Sequence, residues 1–298
     1  MFFIMLNINQ FFYIIKYIME HYFGAHFDSN NLIESSERIK SAGGNLIQIF
    51  LTLPGNSKTQ KRSNDELNEF KQYLKQNNMK VVVHSSYMHN IGKDWNEYSW
   101  WLKNLEIEIK YCHEIESIGL VLHFGKQLDL TIEETYNNMY TSLLYIHNKT
   151  INYKNIKIFL ETSTGQGSEV CYKLEDLSHF FRKFSKNENK DIKDRFRICI
   201  DTCHIFAAGY NIQTKKDIKR YLEAFEELIG LRYVGLIHLN DSKVNVGEQI
   251  DSHNNIGKGY IGFEGLKCFF DYFKKLNVPI VLETADSGYK WEITLLKL

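Results

Sequence analysis

The chain has 298 residues, 36 basic and 36 acidic, and a formal net charge of zero with histidine neutral. Hydrophobic residues at 44% and charged residues at 24% exclude wholesale disorder, and 2 prolines exclude a proline-rich or collagen-like design. The length fits one or two domains, and the missing basic surplus argues, taken alone, against a phosphate-rich partner.

The first segment, MFFIMLNINQFFYIIKYIM, is mostly apolar, but Asn7, Asn9 and Gln10 interrupt it and Lys16 breaks its end. A membrane span needs about 20 predominantly apolar residues. A secretory signal needs a basic start and a small-residue cleavage site, and a mitochondrial presequence needs arginines. The first arginine here is Arg38. Residues 1–20 are therefore read as an extension of unknown role, packed or disordered rather than membrane-bound, with Met19 as an alternative start. Five cysteines (Cys112, Cys171, Cys199, Cys203 and Cys268) form no C-x-x-C pair, which fits buried thiols in a reducing compartment.

From Tyr22 the chain alternates short apolar runs with amphipathic stretches. The runs are Tyr22–His26, Leu46–Leu51, Lys80–His84, Ile118–His123, Ile156–Glu161, Phe196–Asp201, Tyr233–His238 and Pro279–Glu283. Their Val, Ile, Leu and Phe content is that of strands buried on both faces. Thr131 and Glu134 form a capping-box start of one helix. In Lys216–Ile229, Ile218, Tyr221, Leu222, Phe225 and Leu228 share one face, and Gly230 stops the helix. Eight strands alternating with helices predict an α/β fold, a (β/α)8 TIM barrel forming a single domain over residues 21–298.

Seven of these runs end in a histidine or a carboxylate, and six of those residues are the candidates: His84, His123, Glu161, Asp201, His238 and Glu283. The carboxyl ends of barrel strands meet at one face, where active sites sit. Crowding imidazoles and carboxylates there is costly unless cations neutralise them. His204 follows Asp201 by three residues, and Asp251 and His253 stand two apart, so both point the same way in an extended segment. These three suggest a further cation site. Mixed nitrogen and oxygen ligands suit Zn²⁺, Mn²⁺ or Fe²⁺. Cys203, between two candidate ligands, is expected to point elsewhere.

The strings HSSYMHNIG, VLHFG, LETSTGQGS, CIDTCHIFAAGY, HLNDSK, IDSHNNIGKGYIG and VLET, in this order, resemble the motif set of endonuclease IV, the trinuclear-metal apurinic/apyrimidinic endonuclease. The likeness runs from about Gly24 to the C-terminus. It implies three divalent metals, most simply Zn²⁺. His84, His123 and Glu161 would hold the first. Glu161, Asp201, His238 and Glu283 would hold the second, and His204, Asp251 and His253 the third. It further implies double-stranded DNA containing abasic sites as the partner and hydrolysis 5′ to the lesion, leaving a 3′-hydroxyl and a 5′-deoxyribose phosphate. Glu161 and Glu283 would be catalytic. Tyr87 and Met88 would enter the DNA where the base is missing. A monomer acting inside the cell with its DNA (cytoplasm, nucleus or viral factory), not secreted, is the corresponding expectation.

Two positions depart from the family pattern. Ser252 stands where a basic residue is common, and Lys258 where an acidic one is. The loop Pro54–Arg62, with Lys58, Lys61 and Arg62, is where the resemblance places DNA insertion, although a solvated charged loop reads equally well. The competing readings are a sugar isomerase or epimerase on the same barrel, which needs no third metal site, and a non-catalytic abasic-DNA binder. Three divalent ions would also answer the charge objection, moving the chain from zero to about +6 and placing positive field at the barrel mouth.

Overall fold

The computed structural model describes residues 21–27, 31–52, 55 and 61–298. Its strands are β1 (Phe23–Phe27), β2 (Leu46–Phe50), β3 (Lys80–His84), β4 (Gly119–His123), β5 (Lys157–Glu161), β6 (Phe196–Asp201), β7 (Val234–His238), β8 (Asp241–Ser242), β9 (His253–Asn254) and β10 (Ile280–Leu282). The helices are α1 (Leu32–Ser41), α2 (Asn64–Gln76), α3 (Trp100–Glu114), α4 (Ile132–Lys149), α5 (Leu174–Ser185), α6 (Lys190–Arg195), α7 (Thr202–Ala207), α8 (Lys215–Leu228), α9 (Phe263–Lys275) and α10 (Tyr289–Lys297).

Eight parallel strands close into a barrel in the order β1-β10-β7-β6-β5-β4-β3-β2, and β8 pairs with β9 in a small antiparallel ribbon. The predicted runs match these strands to within one residue at either end, and Glu283 stands one residue beyond β10. The predicted helix ends also form. Thr131 and Glu134 make the reciprocal capping box of α4, and Gly230 follows α8 with φ of 102°.

Barrel closure sorts the strand residues into rings, because alternate side chains face the interior. A lower interior ring is apolar: Leu46, Val82, Val121, Phe159, Cys199, Leu236 and Val281. Two residues further along the same strands come Gln48, His84, His123, Glu161, Asp201, His238 and Glu283, and β1 adds His26. The apolar ring is a floor, and the polar ring above it opens at the carboxyl face. The other strand face packs against the helices in the main hydrophobic core.

The extension, residues 1–20, lies outside the described residues. Among the described residues, no helix is long and apolar enough to cross a membrane. All five cysteines are free, and Cys112, Cys171, Cys199 and Cys203 are buried.

Candidate metal centre

The polar ring and two loops bring nine nitrogen- and oxygen-bearing side chains together. His84 Nε2 and His123 Nε2 lie 3.3 and 3.1 Å from Glu161 Oε2. The other oxygen of Glu161 faces a second group: Oε1 is 2.8 Å from His238 Nδ1, which is 3.1 Å from Glu283 Oε2 and 3.9 Å from Asp201 Oδ2. In a third group, Asp251 Oδ1 is 3.2 Å from both His204 Nε2 and His253 Nε2. Asp201 lies between the second and third groups, with Oδ2 3.6 Å from His253 Nε2.

Local structure aims these rings. His84 donates through Nδ1–H to the Ser85 carbonyl at 2.8 Å, and His204 through Nδ1–H to the Thr162 carbonyl at 2.8 Å. A carbonyl only accepts, so in both rings Nε2 is the nitrogen left for the cluster. His253 Nδ1 lies 3.3 Å from the Glu283 carbonyl. Asp201 caps α7 by accepting the His204 backbone N–H at 2.9 Å, which sets the helix start and the position of His204 together.

Burial opposes charge on Glu161, Asp201, Asp251, Glu283, His123, His204, His238 and His253, raising the acids and lowering the imidazoles. For Asp201 burial wins, and its carboxyl is raised. Elsewhere mutual attraction reverses it. Glu161, Asp251 and Glu283 are held below the ordinary carboxylate range by the imidazoles around them. His204 and His238 are raised well above the ordinary imidazole value, His123 is raised, and His253 reaches about 9, because anionic neighbours surround them.

These donors suit a cation. The donor atoms of His84, His123 and Glu161 lie within 4.8 Å of one another, as do those of Glu161, Asp201, His238 and Glu283, and those of Asp201, His204 and His253. Nε2 of His204 and Nε2 of His253 are buried and make no directed hydrogen bond, although Asp251 is close to both. Once it gives up its proton, each of these nitrogens offers a buried lone pair of the kind a metal ligand requires.

The xylose isomerase-like TIM barrel family model matches residues 36–297. A protein named endonuclease 4 in Persephonella marina is 32% identical over 275 residues, covering 91% of this chain and 93% of that protein. The chain belongs to the endonuclease IV family. The crystal structure of endonuclease IV from Thermus thermophilus superposes with a TM-score of 0.75 at 22% identity, covering 93% of this chain and 98% of that one. A D-tagatose 3-epimerase-like protein also superposes, with a TM-score of 0.68 at 19% identity over 93% of this chain and 96% of its own. The fold is therefore shared with sugar-converting enzymes, and the sequence relatives decide the family.

Tyr87 and Met88 are 59% and 49% exposed. The Tyr87 ring packs edge-on against Phe50 and His123 and tilts over His84, at centroid distances of 5.2, 5.8 and 5.3 Å. The loop reading is corrected at Arg62. Its side chain is buried, pairs with Glu66 and donates to the Leu51 carbonyl, while its backbone N–H donates to the Tyr111 hydroxyl at 3.0 Å. Arg62 is thus an internal clamp of that loop and no solvated charge. Lys61 is exposed, and Lys58 lies outside the described residues.

His204 lies in α7 rather than in a loop, and His253 lies in β9, opposite Ser242. Cys203 is closer to the cluster than expected, within 4.8 Å of donor atoms of Asp251 and His253. Burial pushes its thiol up to about 12, so it keeps its proton, and Sγ donates to the Ser252 carbonyl at 3.6 Å. Lys258 places its ammonium 6.0 Å from the Trp291 ring centre.

Sequence reasoning missed four residues. Gln48 and His26 complete the polar ring. Asn240 donates to Asp201 Oδ2 at 2.6 Å and to Glu283 Oε2 at 3.3 Å, and its Oδ1 accepts the Glu283 N–H at 2.7 Å. Asp241, fully buried, accepts backbone N–H groups from Gly257, Gly259, Ile261 and Gly262, which folds the loop behind His253 onto the barrel. A Cβ at Gly259 would lie 2.2 Å from the Ser242 carbonyl oxygen, so only glycine allows this approach. The available signal was a polar residue inside an apolar strand, LIQIF, and the uncharged Asn beside His238 in HLND.

Proposed function

We propose that the chain hydrolyses the phosphodiester 5′ to abasic sites in double-stranded DNA, leaving a 3′-hydroxyl and a 5′-deoxyribose phosphate. Three divalent cations, most simply Zn²⁺ with Mn²⁺ or Fe²⁺ as alternatives, would be held by His84, His123 and Glu161, by Glu161, Asp201, His238 and Glu283, and by His204, Asp251 and His253. Family membership supports the reaction class. The observation that carries the three-site reading is the third group, in which two buried imidazole nitrogens face Asp251 with no directed hydrogen bond. A sugar isomerase has no use for it.

Bound there, the cations would activate water near neutral pH and offset charge on the phosphate oxygens. The protein groups divide the remaining work. Glu161 turns one oxygen toward the first group and the other toward the second, which suits a bridging ligand. Glu283 faces the same gap, with Oε2 3.1 Å from His238 Nδ1, so it could orient a water molecule and receive its proton. A cation held by His204, Asp251 and His253 would offset charge on the leaving oxygen, so that no separate acid would be required. Chemistry at the floor of a barrel requires the lesion to leave the base stack, and this costs least where the base is already missing. Tyr87 and Met88 would occupy the gap, and their exposure supports this reading. The chain would act as a monomer, wherever its DNA is held.

The deciding experiment offers the metal-loaded chain a duplex carrying a tetrahydrofuran abasic analogue. Cleavage 5′ to the analogue is expected. A loaded chain containing three ions that leaves this duplex intact would end the proposal, and one ion per chain with turnover of a ketose would favour the isomerase.

A further inference from the structure

We propose that Gln48 is a positioning residue of the second cluster, a buried amide that decides which nitrogen of His238 faces the carboxylates and holds Glu283 beside it. The inference rests on the metal-binding reading above.

β2 reads LIQIF and is buried along its whole length, so Gln48 is a primary amide with no access to water. Burying such a group unpaired is costly, and here every polar atom is matched. Gln48 Nε2 donates to Glu283 Oε1 at 2.5 Å and lies 3.1 Å from His26 Nδ1, and Gln48 Oε1 lies 2.8 Å from His238 Nε2. The amide has one orientation consistent with all three. An ionised carboxylate only accepts, so the NH₂ group must face Glu283 and the carbonyl oxygen must face His238. That oxygen in turn requires a proton on His238 Nε2. His238 Nδ1 is then the nitrogen offered to Glu161, Glu283 and Asp201, and to any cation among them.

This makes His238 unlike its neighbours. His84, His204 and His253 turn Nδ1 toward backbone carbonyls and present Nε2 to the cluster, and His123 also presents Nε2, to Glu161. His238 alone presents Nδ1, and no backbone carbonyl holds its outer nitrogen; Gln48 does. Groups that hydrogen-bond the far nitrogen of a metal-binding imidazole fix its tautomer and ring angle, and losing one typically costs 10–100-fold in metal affinity. Gln48 joins two ligands of one site in this way, which a residue serving only to fill the interior has no need to do. His26 closes the network from β1, on the opposite side of the amide from His238.

Two measurements test it. In the zinc-loaded wild-type chain labelled with ¹⁵N at histidine, long-range proton–nitrogen correlation should show one imidazole with Nδ1 bound to metal and Nε2 protonated. The other ligand imidazoles should show the reverse. Finding every ligand ring bound through Nε2 overturns the assignment, and this result needs no variant. The second measurement uses Gln48→Met, similar in volume and without hydrogen-bonding capacity. One of the three ions should pass to a competing chelator about 10–100-fold more readily than in wild type, while the other two leave at the wild-type rate. Three ions leaving both proteins alike overturns the role of Gln48 alone. A wild-type chain that binds no second ion overturns the three-site reading, and this inference with it.

Discussion

Loading the metal-free cluster at pH 7 should expel three to four protons per chain. His204 and His238 are raised well above the ordinary imidazole value and His253 reaches about 9, so all three carry a proton at pH 7. His123 is raised as well and adds to the release. Burial alone would strip these protons; Glu161, Asp201, Asp251 and Glu283 retain them. A metal-bound imidazole must give up the proton on its ligand nitrogen. Six positive charges would therefore enter while three to four leave, a net gain of about two to three. Counting the histidines as neutral, which led to a change of +6, overstates the new field at the barrel mouth. Calorimetric titration of the chelated chain with zinc, in two buffers of different ionisation enthalpy, measures the number directly. At pH 10 the release should fall by at least one, since His253 is then already neutral. A value of one proton or fewer at pH 7 would refute the reasoning. The same ion pairs stabilise the metal-free fold below pH 6.5, and the His253 share is lost as pH rises through about 9.

Glu283→Gln should slow cleavage of the abasic duplex by about 100-fold or more while leaving DNA binding within a few-fold; metal content measured alongside shows whether the second site is still filled. Tyr87→Ala should weaken the preference for abasic over intact duplex about tenfold, within the usual range for loss of one aromatic stack, and change the single-turnover rate at saturating DNA much less. Equal losses in both quantities would assign Tyr87 to packing of the rim. Glu108, fully buried on α3, is pushed up to about 8 by burial, against hydrogen bonds from the Thr52 hydroxyl and the Ser86 backbone N–H. The folded chain thus holds a proton that the unfolded chain releases above about 4.5, and stability should fall by about 1.4 kcal/mol per pH unit between about pH 4.5 and 8. His89 beside it, held down to about 3 by burial, acts in the opposite sense but is common to both proteins when wild type is compared with Glu108→Gln. The denaturant midpoint of wild type should therefore fall relative to that of the variant as pH rises from 5 to 8; parallel curves would count against a protonated Glu108.

The short apolar runs and the residues ending them were enough to read the barrel and six members of its polar ring. A strand buried on both faces is apolar throughout its length, so a terminal His, Asp or Glu stands out against it. Asp251 and His253 were legible for a related reason, because an interval of two in an extended segment needs no tertiary information. Other features depended on closure. Gln48 is neither a strong ligand type nor at the end of its run, and only the stagger between neighbouring strands lifts it to the height of His84 and His238. Arg62 has the same composition whether it faces DNA or Glu66, and its pairing with Glu66 on α2 and the Leu51 carbonyl holds it inward. Which nitrogen each histidine presents, and how many protons the empty cluster holds, follow from distances of about 3 Å between residues up to 190 positions apart. The order of residues along the chain was sufficient for the fold, the family and the chemical types gathered at the barrel mouth. Their orientation and charge came from the folded molecule, because both depend on neighbours that become neighbours only when the barrel closes.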